Sequence, residues 1–197
     1  MGALLFLFAF FLGSVPNAYL AGRLLKNIDI REHGSGNAGA TNVFRVLGKG
    51  PGLTVFFLDF LKGVLPVVVT LFLFPQPQAH RELIGLFVGL SAVLGHVFTP
   101  FLGFKGGKGV ATGAGVICAS FPSLFVVTLS VWLLSFFLSR IVSLSSILAV
   151  CALFVAACLT RQPREILIVL SGMTLLVLWS HRRNIKKLRL GQEHRFS

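Results

Sequence analysis

Charge is scarce in this chain: Asp, Glu, Lys and Arg make up 12% of its 197 residues, and only 6 residues are acidic. A soluble domain carries roughly twice that charged fraction. Against this, 55% of the residues are hydrophobic and the mean hydropathy is +0.86. One water-solvated core of this size cannot hide so much apolar side chain, so lipid must be the solvent. A single membrane domain over 1–197 is expected, with no separate soluble domain. Cysteine is equally sparse. Cys118, Cys151 and Cys158 all fall inside apolar runs, and an odd number of membrane-embedded thiols argues against a disulfide framework. They read as small apolar packers. Neither they nor the histidines have metal-ligand spacing, so no metal and no cofactor is expected.

Without a soluble module there is nothing to carry a recognition helix or a base-stacking platform, and the net charge of +12 does not point to nucleic acid. The basic residues gather at the ends of apolar runs instead. That distribution suits membrane lipid headgroups, the orientation signal and anionic substrates.

Long apolar runs are what the chain does have. Met1 to Gly22 is uncharged and lacks the basic leading segment of a signal peptide; its charges follow at Arg23 and Lys26. It reads as a span with its N-terminus outside. Further runs cover about 51–74, 83–102, 141–160 and 163–181, each near the length needed to cross a ~30 Å hydrocarbon layer. Gly109 to Ser139 is too long for one ordinary span and is interrupted by Pro122. The positive-inside rule arbitrates. Splitting the run at Pro122 gives seven spans, with fourteen basic residues on the inner side against three outside. Left whole, the run inverts the later loops and leaves nine against eight. The expected fold is therefore an all-α integral membrane protein, a seven-transmembrane-helix bundle with a cytoplasmic C-terminus and one short helix after Lys108. Segments 23–50, 103–108 and 181–197 then share the cytoplasmic face.

The first of these contains "HGSGNAGATNVFR". Glycines 34, 36 and 39 allow tight turns that present N–H groups to an anion. Ser35, Asn37, Thr41 and Asn42 add short hydrogen-bonding side chains, and Arg45 a forked cation suited to phosphate. A solvated Gly/Asn turn is the plain alternative. The density of polar groups, and the repetition of the theme on the same face, favour a functional loop.

The second is "GHVFTPFLGFKGGKGVAT". Lys105 and Lys108 flank Gly106-Gly107, and Gly109 opens the short helix, so N–H groups, a positive dipole end and two ammonium groups meet in one loop. It is not a nucleotide P-loop, because Leu102 stands where the first glycine is required and Gly109 where Ser or Thr is. A basic interfacial turn is the alternative, but such turns do not need four glycines. His96, near the inner end of its span, reads equally as a site residue or as a packed hydrogen-bonder. Asp59 and Lys62 lie three apart and suit an ion pair on one helix face. Gly85 and Gly89 make a small-xxx-small packing pattern.

The third is "SHRRNIKKLRLGQEHRF". Its basic run is ordinary for a cytoplasmic tail, but His181 and Asn184 share a helix face at the membrane boundary. There a proton acceptor and an orienting amide suit catalysis. Glu193 is the one acid in this tail and is expected to pair with an arginine and hold the segment in place.

Together, these three segments resemble the signatures of the bacterial acyl-phosphate:glycerol-3-phosphate acyltransferases, the PlsY type. The resemblance covers nearly the whole chain, in order and in spacing. It implies an inner-membrane enzyme of seven spans that moves a fatty acyl group from acyl phosphate to the 1-hydroxyl of sn-glycerol 3-phosphate. The products would be lysophosphatidic acid and phosphate, the first acylation of phospholipid biosynthesis. Acyl phosphate and glycerol 3-phosphate would be its substrates, membrane lipid its surroundings, and a monomer its expected state. The resemblance further implies that Ser35, Asn37 and Arg45 are essential and that Gly103 to Gly109 bind glycerol phosphate. His181 and Asn184 would be catalytic or substrate-orienting, and Glu193 mainly structural. The His-x-x-x-x-Asp dyad of soluble-type glycerolipid acyltransferases is absent, since Ala38, Gly85, Phe101 and Lys186 stand five residues after His33, His80, His96 and His181. A transporter for a phosphorylated solute is the competing class, disfavoured by the clustering of motifs on one face and by the lack of a repeated hydropathy unit. A basic lipid-binding scaffold would leave the glycine loops unexplained.

Overall fold

Proline and apolar length lay out the helices. The computed structural model describes residues 2–73 and 78–196; Met1, Ser197 and the end of the second apolar run at Phe74 lie outside the described residues. The first run forms α1 (Gly2–Ser14) and α2 (Asn17–Lys26), broken at Val15-Pro16 because Pro16 has no N–H to continue the ladder. Asn27, left-handed at φ 54°, ends α2. A loop and α3 (Ala40–Leu47) lead into α4 (Lys49–Leu73) and α5 (Gln78–Val97), then a 3-10 turn at Pro100–Leu102 and α6 (Val110–Ser120). Beyond it come α7 (Pro122–Ser139), α8 (Val142–Leu159), α9 (Arg164–Ser180) and α10 (Arg182–Arg189). The long run does divide at Pro122, which takes the first helical position of α7, where a missing N–H costs nothing.

Among the described residues, five helical segments are long and apolar enough to cross a membrane, counting α1 and α2 as one, and six if the bent pair of α9 and α10 is included. The remaining apolar helix, α6, has 11 residues, which at 1.5 Å per residue gives ~16 Å, about half the hydrocarbon layer.

The backbone divides into two compact units, Met1–Ala119 and Ser120–Ser197. In the first, α5 is central, packed by α1 and α4. Its contact with α1 is a backbone approach: a Cβ on Gly13 would lie 2.1 Å from the Ala92 carbonyl oxygen, and one on Gly95 2.1 Å from that of Phe10. Gly89 likewise admits Val116 of α6, whose Cγ1 a Cβ would meet at 2.4 Å. Gly85 makes ordinary contacts with Val67 and Leu71. In the second unit α8 lies between α7 and α9, with Ala149, Leu153, Val169, Leu170 and Met173 buried. Large apolar side chains point outward from both units, with Phe72 86% and Leu138 79% exposed. Such surfaces belong in lipid rather than water.

Candidate active site

The first polar segment is held by its own short side chains. Asp29 caps the 3-10 turn Ile30–Glu32 by accepting the Arg31 N–H at 2.9 Å, and the Arg31 guanidinium closes on both carboxylate oxygens, the shortest contact 2.7 Å. The hydrogen-bonded Arg31 side chain lowers the Asp29 carboxyl to about 2. Gly34 and Gly36 follow at φ +61° and +71°, the left-handed region that a side chain disfavours. The buried Asn42 sits at the centre. Its Oδ1 accepts the Ser35 N–H at 2.8 Å, and its Nδ2 donates to the carbonyls of Ile30 (2.9 Å) and His33 (3.0 Å). Asn42, expected to meet substrate, is thus consumed in shaping the loop. Ser35, Gly36 and Thr41 stay exposed, and Asn37 and Arg45 are half-buried. On α3 the Nε of Arg45 is buried with no hydrogen-bond partner among the described residues.

The second segment leaves the 3-10 turn through two left-handed residues, Gly103 and Phe104, both at φ 62°. It then folds back on the end of α5. The Gly106 N–H donates to the Val97 carbonyl at 3.0 Å and the Gly107 N–H to that of His96 at 3.1 Å. These two N–H groups satisfy carbonyls at the C-terminal end of α5, so they are not among the free N–H groups expected to meet an anion beside the two lysines and the start of α6. The glycines are required by the close approach itself. A Cβ on Gly106 would lie 2.0 Å from the His96 carbonyl oxygen, and one on Gly107 2.1 Å from His96 Nε2. Lys105 is exposed and Lys108 half-buried. Gly109, at φ +78°, accepts the first bond of α6 from Gly113 at 2.8 Å, so α6 begins at this loop as expected.

Directly under the loop lies a buried polar cluster. Lys62 Nζ is 2.8 Å from Asp59 Oδ1 and also donates to the Val15 carbonyl at the α1–α2 break. The same carboxylate oxygen accepts from Asn17 Nδ2 at 3.0 Å and lies 3.8 Å from His96 Nδ1. Thr99 Oγ1 donates to the Ser14 carbonyl at 2.7 Å. A small cavity among these groups is lined by Asn17, Ala38, Asp59, Lys62, His96 and Gly107 as well as flanking residues, so it brings the first and second segments together. The expected Asp59–Lys62 pair forms, and His96, which the sequence left as a site residue or a packed hydrogen-bonder, is buried beneath Gly107.

The third segment lies in the second unit. His181 closes α9 and is 2% exposed; its Nδ1 donates to the Val177 carbonyl at 2.8 Å, which puts the lone pair of the neutral ring on Nε2. Asn184 Nδ2 donates to Glu193 Oε1 at 2.7 Å, and Ser143 Oγ of α8 donates to the same oxygen at 3.0 Å. Glu193 is therefore fastened by an amide and a hydroxyl where an arginine was expected. The C-terminal stretch is further tied to the α7–α8 junction by the Phe196 N–H on the Arg140 carbonyl at 2.7 Å.

Asn17, Thr99 and Ser143 escaped the sequence reading. Ser143 stands in an apolar run where a small hydroxyl reads as a packer. The Pro16-Asn17 break in an uncharged run was the available signal for Asn17.

Residues 3–191 match the glycerol-3-phosphate acyltransferase family model. The chain is 43% identical to the glycerol-3-phosphate acyltransferase of Aquifex aeolicus (strain VF5) over 98% of this chain and 97% of that one. It is 42% identical to that of Bacillus velezensis over 94% and 93%. Two crystal structures of PlsY (YgiH), an integral membrane glycerol 3-phosphate acyltransferase, superpose on it. The glycerol 3-phosphate form has a TM-score of 0.92 at 42% identity, covering 100% of this chain and 96% of that one. The lysophosphatidic acid form has 0.89 at 41%, covering 100% and 95%. This chain is a multi-pass membrane protein that belongs to the glycerol-3-phosphate acyltransferase family.

Proposed function

We propose that the protein transfers a fatty acyl group from acyl phosphate to the 1-hydroxyl of sn-glycerol 3-phosphate, releasing lysophosphatidic acid and phosphate. It does so in the bacterial inner membrane as a monomer, with seven spans, the N-terminus outside, and the C-terminus and active surface in the cytoplasm. The observation that carries the reading is the buried Arg45 Nε–H, which has no hydrogen-bond partner among the described residues. Such a donor costs stability unless something else accepts from it, and a phosphate oxygen does so with charge assistance. The related PlsY obtained in glycerol 3-phosphate and lysophosphatidic acid forms supports an acceptor of that chemistry.

Acyl phosphate is already activated, so the protein needs to position the hydroxyl and stabilise negative charge. The glycerol O1 attacks the acyl carbonyl carbon; the new O1–C bond forms as the C–O bond to phosphate breaks, and phosphate leaves with the bonding pair. The hydroxyl proton passes to a substrate phosphate oxygen, whose second pKa is about 6, or to His181 Nε2. Arg45, Lys105 and Lys108 hold phosphate and oxyanion charge. Asn42 shapes the loop that presents Ser35, Gly36, Asn37 and Thr41, while Gly106, Gly107 and Gly109 set the second loop. Asn184 orients its neighbourhood through Glu193. No metal is required by this chemistry.

The test is purified protein given palmitoyl phosphate with glycerol 3-phosphate, with palmitoyl-CoA as a parallel donor. Phosphate release that depends on glycerol 3-phosphate, with lysophosphatidic acid formed and CoA donor inert, is the expected result. No turnover with either donor in well-folded protein overturns it. A burst of phosphate from acyl phosphate alone, abolished by Ser35→Ala, would replace direct attack by an acyl-enzyme on Ser35.

A further inference from the structure

The buried cluster around Asp59 and Lys62 in the first unit has no place in the chemistry above. Asp59 and Lys62 are 2% and 5% exposed, and charges so deep are retained only where every partner is in place. Here the partners belong to three different elements. Lys62 reaches the Val15 carbonyl at the break between α1 and α2, Asn17 of α2 reaches Asp59, and His96 of α5 faces the same Asp59 oxygen. The pair thus cross-braces α4 to the broken first span and to the end of α5.

His96 links this brace to the loop above it. Its Nδ1 edge is toward Asp59 at 3.8 Å, while its Nε2 edge lies where a Gly107 Cβ would stand, 2.1 Å away. Its own carbonyl, and that of Val97, receive the Gly107 and Gly106 N–H groups. The turn between Lys105 and Lys108 therefore rests on the imidazole ring and on the two carbonyls beside it. Moving the ring moves the turn, and with it both lysines.

We propose that His96, seated on the buried Asp59–Lys62 pair, is a positioning residue that sets the height of the Gly106-Gly107 turn and so the placement of Lys105 and Lys108 against the glycerol phosphate group. The assignment of that group to this loop rests on the function proposed above. His96 touches no substrate and transfers no proton. Its work is geometric, and misplacing a charged binding group by about 1 Å is enough to cost about 100-fold in rate.

Three variants and two readouts test this. His96→Ala removes the seat. His96→Gln keeps bulk beneath Gly107 and an N–H toward Asp59. Asp59→Asn combined with Lys62→Met removes both buried charges together, so neither is stranded if a single change prevents folding. Hydrogen–deuterium exchange of the peptide containing residues 104–108 reports the turn without any need for turnover. Steady-state kinetics report its consequence. For His96→Ala and the double variant we expect faster exchange in that peptide. In both, the KM for glycerol 3-phosphate should rise about tenfold or more while that for palmitoyl phosphate stays within about twofold, because only the acceptor's loop is unseated. His96→Gln should recover most of both. Unchanged exchange in His96→Ala and the double variant overturns the proposal, as does an equal rise in both KM values. Wild-type protein that exchanges normally but turns over neither donor refutes the acyltransferase reading instead, and the exchange comparison still decides whether His96 seats the loop.

Discussion

Asn42 Oδ1 accepts the Ser35 backbone N–H at 2.8 Å, and the same amide donates to the carbonyls of Ile30 and His33. One side chain thus supplies what a strand ladder or helix turn would otherwise supply to residues 30–35. Asn42→Ala removes all three bonds: the Ser35 N–H loses this acceptor, at about 1–3 kcal/mol where water cannot replace it, while the Ile30 and His33 carbonyls keep only the His33 and Gly36 N–H groups. Asn42→Asp loses both donors and sets an acceptor against two carbonyls. Both variants should melt at lower temperature than wild type and lose glycerol 3-phosphate-dependent turnover together. An unchanged melting temperature for Asn42→Asp would contradict this account of the loop.

Arg45 tests whether its unpartnered Nε–H serves an anion. Arg45→Ala should lower kcat/KM by about 100-fold or more, the scale of losing a charge-assisted bidentate contact. Arg45→Lys should recover little, because an ammonium presents no fork. Melting temperature should hold or rise in both, since a partnerless buried donor is removed. A lysine variant as active as wild type would show that charge alone is needed.

Asn184 and Glu193 can be interrogated by exchange of their roles. Asn184→Asp places a carboxylate where the amide met Glu193 Oε1 at 2.7 Å, so the two acids must repel or share a proton. Turnover at pH 7 should fall about tenfold and recover toward lower pH, where one proton restores the hydrogen bond. Adding Glu193→Gln should restore activity at pH 7 by reversing donor and acceptor. Failure of the double variant to recover would mean that Asn184 matters for something other than this bond.

The Asp29–Arg31 contact sets a pH dependence of stability. Arg31 holds the Asp29 carboxyl at about 2, below its ordinary value. A depressed acid stabilises the folded state above its unfolded pKa of about 3.9 and loses that contribution as pH falls through the folded value. Wild type should therefore melt higher than Asp29→Asn at pH 7. The difference should narrow only below about pH 4 and vanish as the carboxyl protonates near 2. A gap already closed at pH 5 would refute the pairing.

Gly106 and Gly107 should differ in how they fail. An alanine at 106 meets the His96 carbonyl oxygen at 2.0 Å, a backbone atom that cannot step aside, whereas one at 107 meets the imidazole Nε2 at 2.1 Å. Gly107→Ala should therefore add little further loss in a His96→Ala background, while Gly106→Ala should cost as much there as in wild type. Double-mutant cycles on turnover separate the two, and additive losses for Gly107 and His96 would deny the contact.

Much of the architecture was legible because its causes are local. Apolar length marks helices that need lipid. Pro122 ends one helix and heads another for want of an N–H, and a short helix follows Gly109 because that glycine can adopt φ +78°. The three polar segments stood out for the same reason, as glycine and short polar side chains among long hydrophobic runs. Pairing depends instead on which atoms the packed helices bring within 3 Å. Asn17 meets Asp59 across 42 residues and Ser143 meets Glu193 across 50, and no periodicity links such positions. Tertiary contact also decided that the Gly106 and Gly107 N–H groups close the end of α5, that Asn42 holds its own loop together, and that His96 lies beneath the glycines. A hydrogen-bonding group takes the partner that burial leaves it, and burial is settled only when the helices pack.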